Sequence, residues 1–385
     1  MREMGAMCQN FFGKLELKKI FMPYVDACKA MAINHFQDPA AIRKNQILQI
    51  LGASEDDWQN WRWQQKNRIS DSRVLEQILG LSDLERKRIE KVGKVYQWAV
   101  TPYYLSLIDR NYAESPIYKQ AIPDTQELSA GGCVDSRESS QPSPAPGVTL
   151  VHPQRAVLKV TNQCAMLCRH CSNKRRPGQL DKRTAGWDMT KALNYIRKNK
   201  EIKEVIIGGG DALLLNDQTL DWILHQLHCM SHVEIKRIKT RVPVTLPQRI
   251  TPGLCEVLRR YAPVHITTQF NHSRELSLEA RKALERLQAA GVVFANQAIL
   301  LHGVNDNPLT LKRLQKMLQQ ARMELDFIVQ PRNIKSIQHF RTSEEDGRQI
   351  INCLQASGLS SPTYIRDWNR RQDPNVANGH PGIDI

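Results

Sequence analysis

The 385-residue chain is 41% hydrophobic and 24% charged, which excludes disordered and collagen-like classes and leaves apolar material for at least one large core. Its net charge of +15 at pH 7 would suit an acidic partner or nucleic acid, but acids such as Asp217, Glu256 and Glu324 interrupt the basic runs, and no zinc-finger spacing, RNP-like aromatic strand or heptad zipper accompanies them. With no run of about 18 apolar residues and no leader with a small-residue cleavage site, the expectation is a cytoplasmic chain with no membrane partner, a solvated basic surface and nine reduced cysteines.

Up to residue 126 apolar and polar positions mix at helical spacing, as in "DSRVLEQILGLSDLERKRIEKVGKVYQWAV", which predicts an α-helical N-terminal region over 1–126. Trp58, Trp61 and Trp63, spaced by three and two, read as packing residues. Residues 127–147, "ELSAGGCVDSRESSQPSPAPG", are dense in Gly, Ser and Pro and read as a connector. From 148 to 369 short β-branched runs alternate with longer amphipathic stretches. The runs are "AVLKVTN", "KEVIIGG", "EIKRIKT", "PVHITTQF", "VVFANQAIL" and "DFIVQ". Six βα units predict an α/β fold, a partial (β/α)6 barrel of the TIM type, with chemistry at the C-terminal ends of the strands and a tail over 370–385.

The stretch "CAMLCRHC" places Cys164, Cys168 and Cys171 directly after the first of those strands. Zinc commonly takes paired CxxC units, and no second CxxC exists in the chain. Three thiolates on one loop can instead bind three irons of a [4Fe–4S] cluster and leave the fourth iron without a protein ligand. That open iron can chelate S-adenosylmethionine, whose reductive cleavage yields a 5′-deoxyadenosyl radical. One βα unit later comes "GGGDALL", whose Gly209 and Gly210 allow close backbone approach and whose Asp211 can accept hydrogen bonds from an ammonium group. CxxxCxxC at this place in a barrel, followed by GGD, resembles the radical S-adenosylmethionine superfamily. The resemblance implies the cluster on the three cysteines and the methionine end of S-adenosylmethionine at Gly209, Gly210 and Asp211.

Within that superfamily the stretches "TPYYLSLID", "KQAIP", "TNQCAMLCRHC", "GGDALLL", "PVTLPQRIT", "QFNH", "NQAILLHGVND" and "HFRT" resemble the lysine 2,3-aminomutase family from Trp58 to Asp367. The resemblance implies amino-group migration between adjacent carbons, a small amine or amino-acid-like substrate, pyridoxal phosphate, and an external one-electron donor such as flavodoxin or ferredoxin. This chain departs from the family in three places. After "PTYIRD", "WNRRQDPNVANGHPG" has neither a glycine run nor a lysine, and Pro374 stands where the cofactor lysine would fall. Asn173 replaces the arginine that pairs with the substrate carboxylate, with Lys174 and Arg175 next to it. Arg155 matches an arginine for the cofactor phosphate, while its companion is Val151. Asp306 and Asp367 match the pair that grips the distal ammonium of lysine. The family's C-terminal zinc-binding, dimer-forming tail has no counterpart cysteines after Asp367, so a homo-oligomer stays open. Three readings therefore stand: aminomutation, radical epimerisation, dehydrogenation or elimination without pyridoxal phosphate, and a non-catalytic iron–sulfur binding module.

Overall fold

The computed structural model describes residues 38–129, 143–356 and 362–365. Eight strands form one sheet in chain order: β1 (Val148–His152), β2 (Arg155–Thr161), β3 (Glu204–Gly209), β4 (Ile235–Lys239), β5 (Val264–Thr268), β6 (Val292–Ile299), β7 (Leu325–Val329) and β8 (Thr363–Ile365). β1 runs antiparallel to β2, and every later pair is parallel. Parallel neighbours need a crossover. The helices Gly186–Lys198, Asp217–His228, Pro252–Arg260, Leu278–Ala289, Pro308–Gln320 and Glu344–Gln355 supply them.

β1 and β8 remain the two edges, so the sheet is open, as a partial barrel is. The six expected strands are β2 to β7. β1 adds a short antiparallel edge, and β8 is the strand within "PTYIRD".

Each inner strand splits its residues by period two. On β2, Ala156, Leu158 and Val160 pack with Ala192, Leu193 and Ile196 of the following helix in one core. The opposite face carries charge: Arg155 Nε donates to Glu204 Oε2 at 2.6 Å, and Arg237 Nε donates to Glu204 Oε1 at 2.5 Å. These three residues tie β2, β3 and β4 together near their N-terminal ends, away from the cysteine loop.

The described part of the N-terminal region, from residue 38 onward, is helical, and residues 1–37 lie outside the described residues. Ser54 with Asp57 and Ser82 with Glu85 form reciprocal capping boxes, and Gly52 and Gly80 end their helices in left-handed backbone. It is not separate from the barrel. Ile47, Trp58, Leu75 and Tyr104 share one hydrophobic core with Val244, Phe270, Ala298 and Ile328. Trp58 is buried there, and Trp61 is covered by the Arg62 and Arg249 guanidinium groups at 4.7 and 4.8 Å. The expected connector also departs from its reading at its first residue, because Glu127 is fully buried in a 3-10 turn, Thr125–Leu128. Residues 130–142, the tail 370–385 and Asp367 lie outside the described residues. Among the described residues no helix is long and apolar enough to cross a membrane.

Candidate active site

β2 ends at Thr161 and the chain turns out of the sheet into the cysteine loop. Asn162 closes that loop at its base: its side chain accepts from the Lys182 N–H at 2.5 Å and donates to the Leu180 carbonyl at 3.1 Å. The N-terminal helices hold it from outside. Arg68 Nη1 and Gln65 Nε2 donate to the Cys164 carbonyl at 2.7 and 3.3 Å, the Leu167 N–H donates to the Ala99 carbonyl, and the Arg169 N–H to that of Gln120. Inside, Glu127 accepts from Arg169 Nε at 2.9 Å, from Arg169 Nη2 and from Lys174 Nζ at 2.8 Å, all three side chains being buried.

Cys164, Cys168 and Cys171, each half-buried and free of disulfides, line one cavity of about 590 Å³ with Gly209, Gly210 and Arg241. Among the described residues no three His, Cys, Asp or Glu side chains converge on a point that one metal ion would fill. Three thiols facing a common cavity fit a [4Fe–4S] cluster, in which each thiolate meets a different iron. Burial, then the neighbouring Cys171 and Asp211, pushes the Cys164 thiol well above the ordinary cysteine range. Ligation there must release a proton.

The glycines of "GGGD" turn out to serve the loop itself. Gly209 has φ +115°, and a Cβ on it would lie 2.4 Å from the Thr161 carbonyl oxygen; a Cβ on Gly210 would lie 2.2 Å from that of Gln163. The Gly210 and Asp211 N–H groups donate to those same two carbonyls, both at 2.6 Å. Close backbone approach was expected toward a ligand, whereas here it joins β3 to the start of the cysteine loop. Gly209→Val is expected to destabilise the metal-free protein by about 1–3 kcal/mol, the range for overpacked sites, in urea unfolding. A variant as stable as the parent would refute the packing role.

Asp211 departs from its expected place at a ligand's ammonium. It is buried, is not among the cavity-lining residues, and accepts from Thr240 Oγ1 at 2.6 Å, the Leu213 N–H at 3.2 Å and the Arg241 N–H at 2.7 Å. Burial raises its pKa although these donors oppose the shift. Its carboxylate joins the β3 end to the β4 end.

Of the described residues expected at the substrate, Asn173 lines the cavity, exposed, with its N–H on Cys171 Sγ at 3.3 Å. Lys174 and Arg175 line it too but are engaged elsewhere. Lys174 Nζ is held by Glu127 and by the Ser336 carbonyl at 2.6 Å, and Arg175 pairs with Asp181. Asp306 does not line the cavity; its Oδ2 lies 2.7 Å from His302 Nδ1, one turn back on the same loop. Arg155 does not line it either, being paired with Glu204 at the far end of β2.

A family model, Radical SAM superfamily, matches residues 158–314, from within β2 through the cysteine loop and β3 to β6. The chain is 40% identical over 359 residues to glutamate 2,3-aminomutase of Clostridioides difficile (strain 630), covering 91% of this chain and 84% of that protein. The chain belongs to the lysine 2,3-aminomutase family. It is also 41% identical over 318 residues to L-lysine 2,3-aminomutase of Clostridium subterminale, covering 82% and 76% of the two chains. The L-lysine 2,3-aminomutase of Fusobacterium nucleatum subsp. nucleatum is 40% identical over 318 residues, covering 82% and 75%. As a family member the chain is an enzyme that uses a [4Fe–4S] cluster and S-adenosylmethionine, a small-molecule substrate and an external electron donor.

Reasoning from sequence missed three residues that build the site. Glu127 sits in the Gly/Ser/Pro-rich stretch, and Arg241 stands two residues before "PVTLPQRIT" with no role assigned. Glu275, fully buried, follows "QFNH" by three positions and receives Arg241 Nη2 at 2.7 Å. Their only signal was charge, Glu127 at the head of a stretch read as a connector and Arg241 and Glu275 past strand ends.

Proposed function

We propose that this enzyme holds a [4Fe–4S] cluster on Cys164, Cys168 and Cys171 and acts on a small amine or amino-acid-like substrate in the cavity these thiols share with Gly209 and Gly210. When bound, the cluster and S-adenosylmethionine supply a 5′-deoxyadenosyl radical for hydrogen abstraction. The chain's own part is positional. The Glu127 triad and the Arg68 and Gln65 contacts fix the loop, and Asn173 offers neutral hydrogen bonds where a carboxylate-binding arginine would stand. The observation that carries this reading is the meeting of three cysteine thiols, none in a disulfide, at one cavity. Its test is anaerobic reconstitution with iron, sulfide, S-adenosylmethionine and reductant. 5′-Deoxyadenosine should form, and small molecules from a lysate of the source cell that are consumed should appear by mass spectrometry. No deoxyadenosine from iron-loaded protein would refute it.

A second reading, radical chemistry without amino migration, draws on the fit of pyridoxal phosphate, which is poor among the described residues. Arg155, its expected phosphate partner, faces Glu204, and the buried Lys174, brought down to about 8 by burial against the pull of Glu127, is already hydrogen-bonded to that acid. Asp306, read as an ammonium partner, lies outside the cavity lining and is paired with His302. Borohydride reduction with pyridoxal phosphate and peptide mapping should find no stoichiometric pyridoxyl-lysine. Such an adduct would restore the aminomutase reading.

A further inference from the structure

Cys168 has a cation of its own. Arg241, just past the end of β4, is buried and lines the cavity, and its Nη1 donates to Cys168 Sγ at 2.9 Å. The other donors of this guanidinium are also placed: Nε to the Gln269 carbonyl at 3.2 Å, and Nη2 to Glu275 Oε1 at 2.7 Å and Gln120 Oε1 at 3.4 Å. Glu275 is fully buried and accepts in turn from the Tyr104 hydroxyl at 2.6 Å and from the Asn271 and His272 N–H groups at 2.6 and 3.0 Å. The backbone that carries Arg241 is fixed from behind by Asp211, through its N–H and through Thr240. A cysteine sulfur, a guanidinium and a carboxylate therefore lie in a row, with Tyr104 of the N-terminal region closing it.

Resting on the reading that Cys168 is a cluster ligand, we propose that Arg241 is a positioning residue that aims the Cys168 thiolate and raises the reduction potential of the cluster, with Glu275 as the counter-charge that limits the effect. One-electron reduction by the external donor adds a negative charge to the cluster. Hydrogen bonds and positive charge at its sulfurs favour that reduced state, and an acid behind them opposes it. A residue that only filled space would have no such sign.

The test is potentiometry followed by electron paramagnetic resonance on reconstituted holoenzyme, with dithionite and mediators as the electron source. Arg241→Gln should move the midpoint to lower potential and alter the g values, and Glu275→Gln should move the midpoint to higher potential. Shifts of these two signs support the proposal, and the reversed pair overturns it. Unchanged midpoints, or shifts in one direction for both variants, overturn it. If Arg241→Gln takes up no iron, Glu275→Gln decides: a raised midpoint supports the proposal, and an unchanged or lowered one overturns it. Iron content of Cys168→Ala separates the two levels. A full cluster without Cys168 would refute the ligand assignment together with this proposal, whereas unshifted midpoints in a cluster that depends on Cys168 would refute this proposal alone.

Discussion

Cys168→Ala is expected to leave a folded protein that no longer forms 5′-deoxyadenosine and retains less iron than the parent. The three thiols of the loop face one cavity, and loss of one leaves two thiolates for a cluster that needs three protein ligands. The loss should exceed the roughly 10–100-fold cost of changing an outer-shell partner of a metal site. It also strips Arg241 of one acceptor inside the protein. Cys229→Ala and Cys353→Ala are the controls, since both thiols are exposed and away from the cavity. Iron analysis and deoxyadenosine yield, measured side by side, check the result. Full iron and undiminished yield in Cys168→Ala would remove the central assignment.

The cysteine loop was legible because its information is local. Three like residues within eight, set at the end of a β-branched run, place both the candidate thiols and the strand end that presents them. The parallel order of β2 to β7 was legible for the same reason, as each strand and its helix announce themselves by period. β1 was not, being five residues beside a Gly- and Pro-rich stretch.

What the sequence hid is contact between distant positions. The glycines of "GGGD" were rightly read as places of close backbone approach, but which backbone approaches depends on the register that sets Thr161 beside Gly209. Asp211 lost its expected role in the same way. A carboxylate at a strand end looks available until the neighbouring strand's Thr240 and Arg241 N–H are brought to it. Asp306 met His302 on its own loop, a pairing that four-residue spacing allows but does not announce.

Glu127→Ala is expected to destabilise the protein by about 3–5 kcal/mol, the usual cost of breaking a buried ion pair by removing one partner. The side chains of Arg169 and Lys174 are at most 2% exposed and share this one carboxylate, so its removal leaves two cations inside the protein. They respond differently. Lys174, already lowered to about 8 mainly by burial, can shed its proton once Glu127 no longer holds it up, whereas a guanidinium has no such outlet in a protein. Most of the cost therefore falls on Arg169, whose main chain is part of the cysteine loop. Although burial pushes the Glu127 carboxyl upward, Arg169 and then Lys174 hold it below the usual carboxylate value. A carboxylate lowered on folding contributes stability that is fully present above its unfolded pKa and is lost as pH falls through its folded one. Urea unfolding at neutral pH should thus show the full deficit of Glu127→Ala, and the gap to the parent should narrow on acidification below the ordinary glutamate range. A deficit under about 1 kcal/mol, no larger than that of an exposed ion pair, or a gap that widens in acid, would show that Glu127 does not anchor the loop.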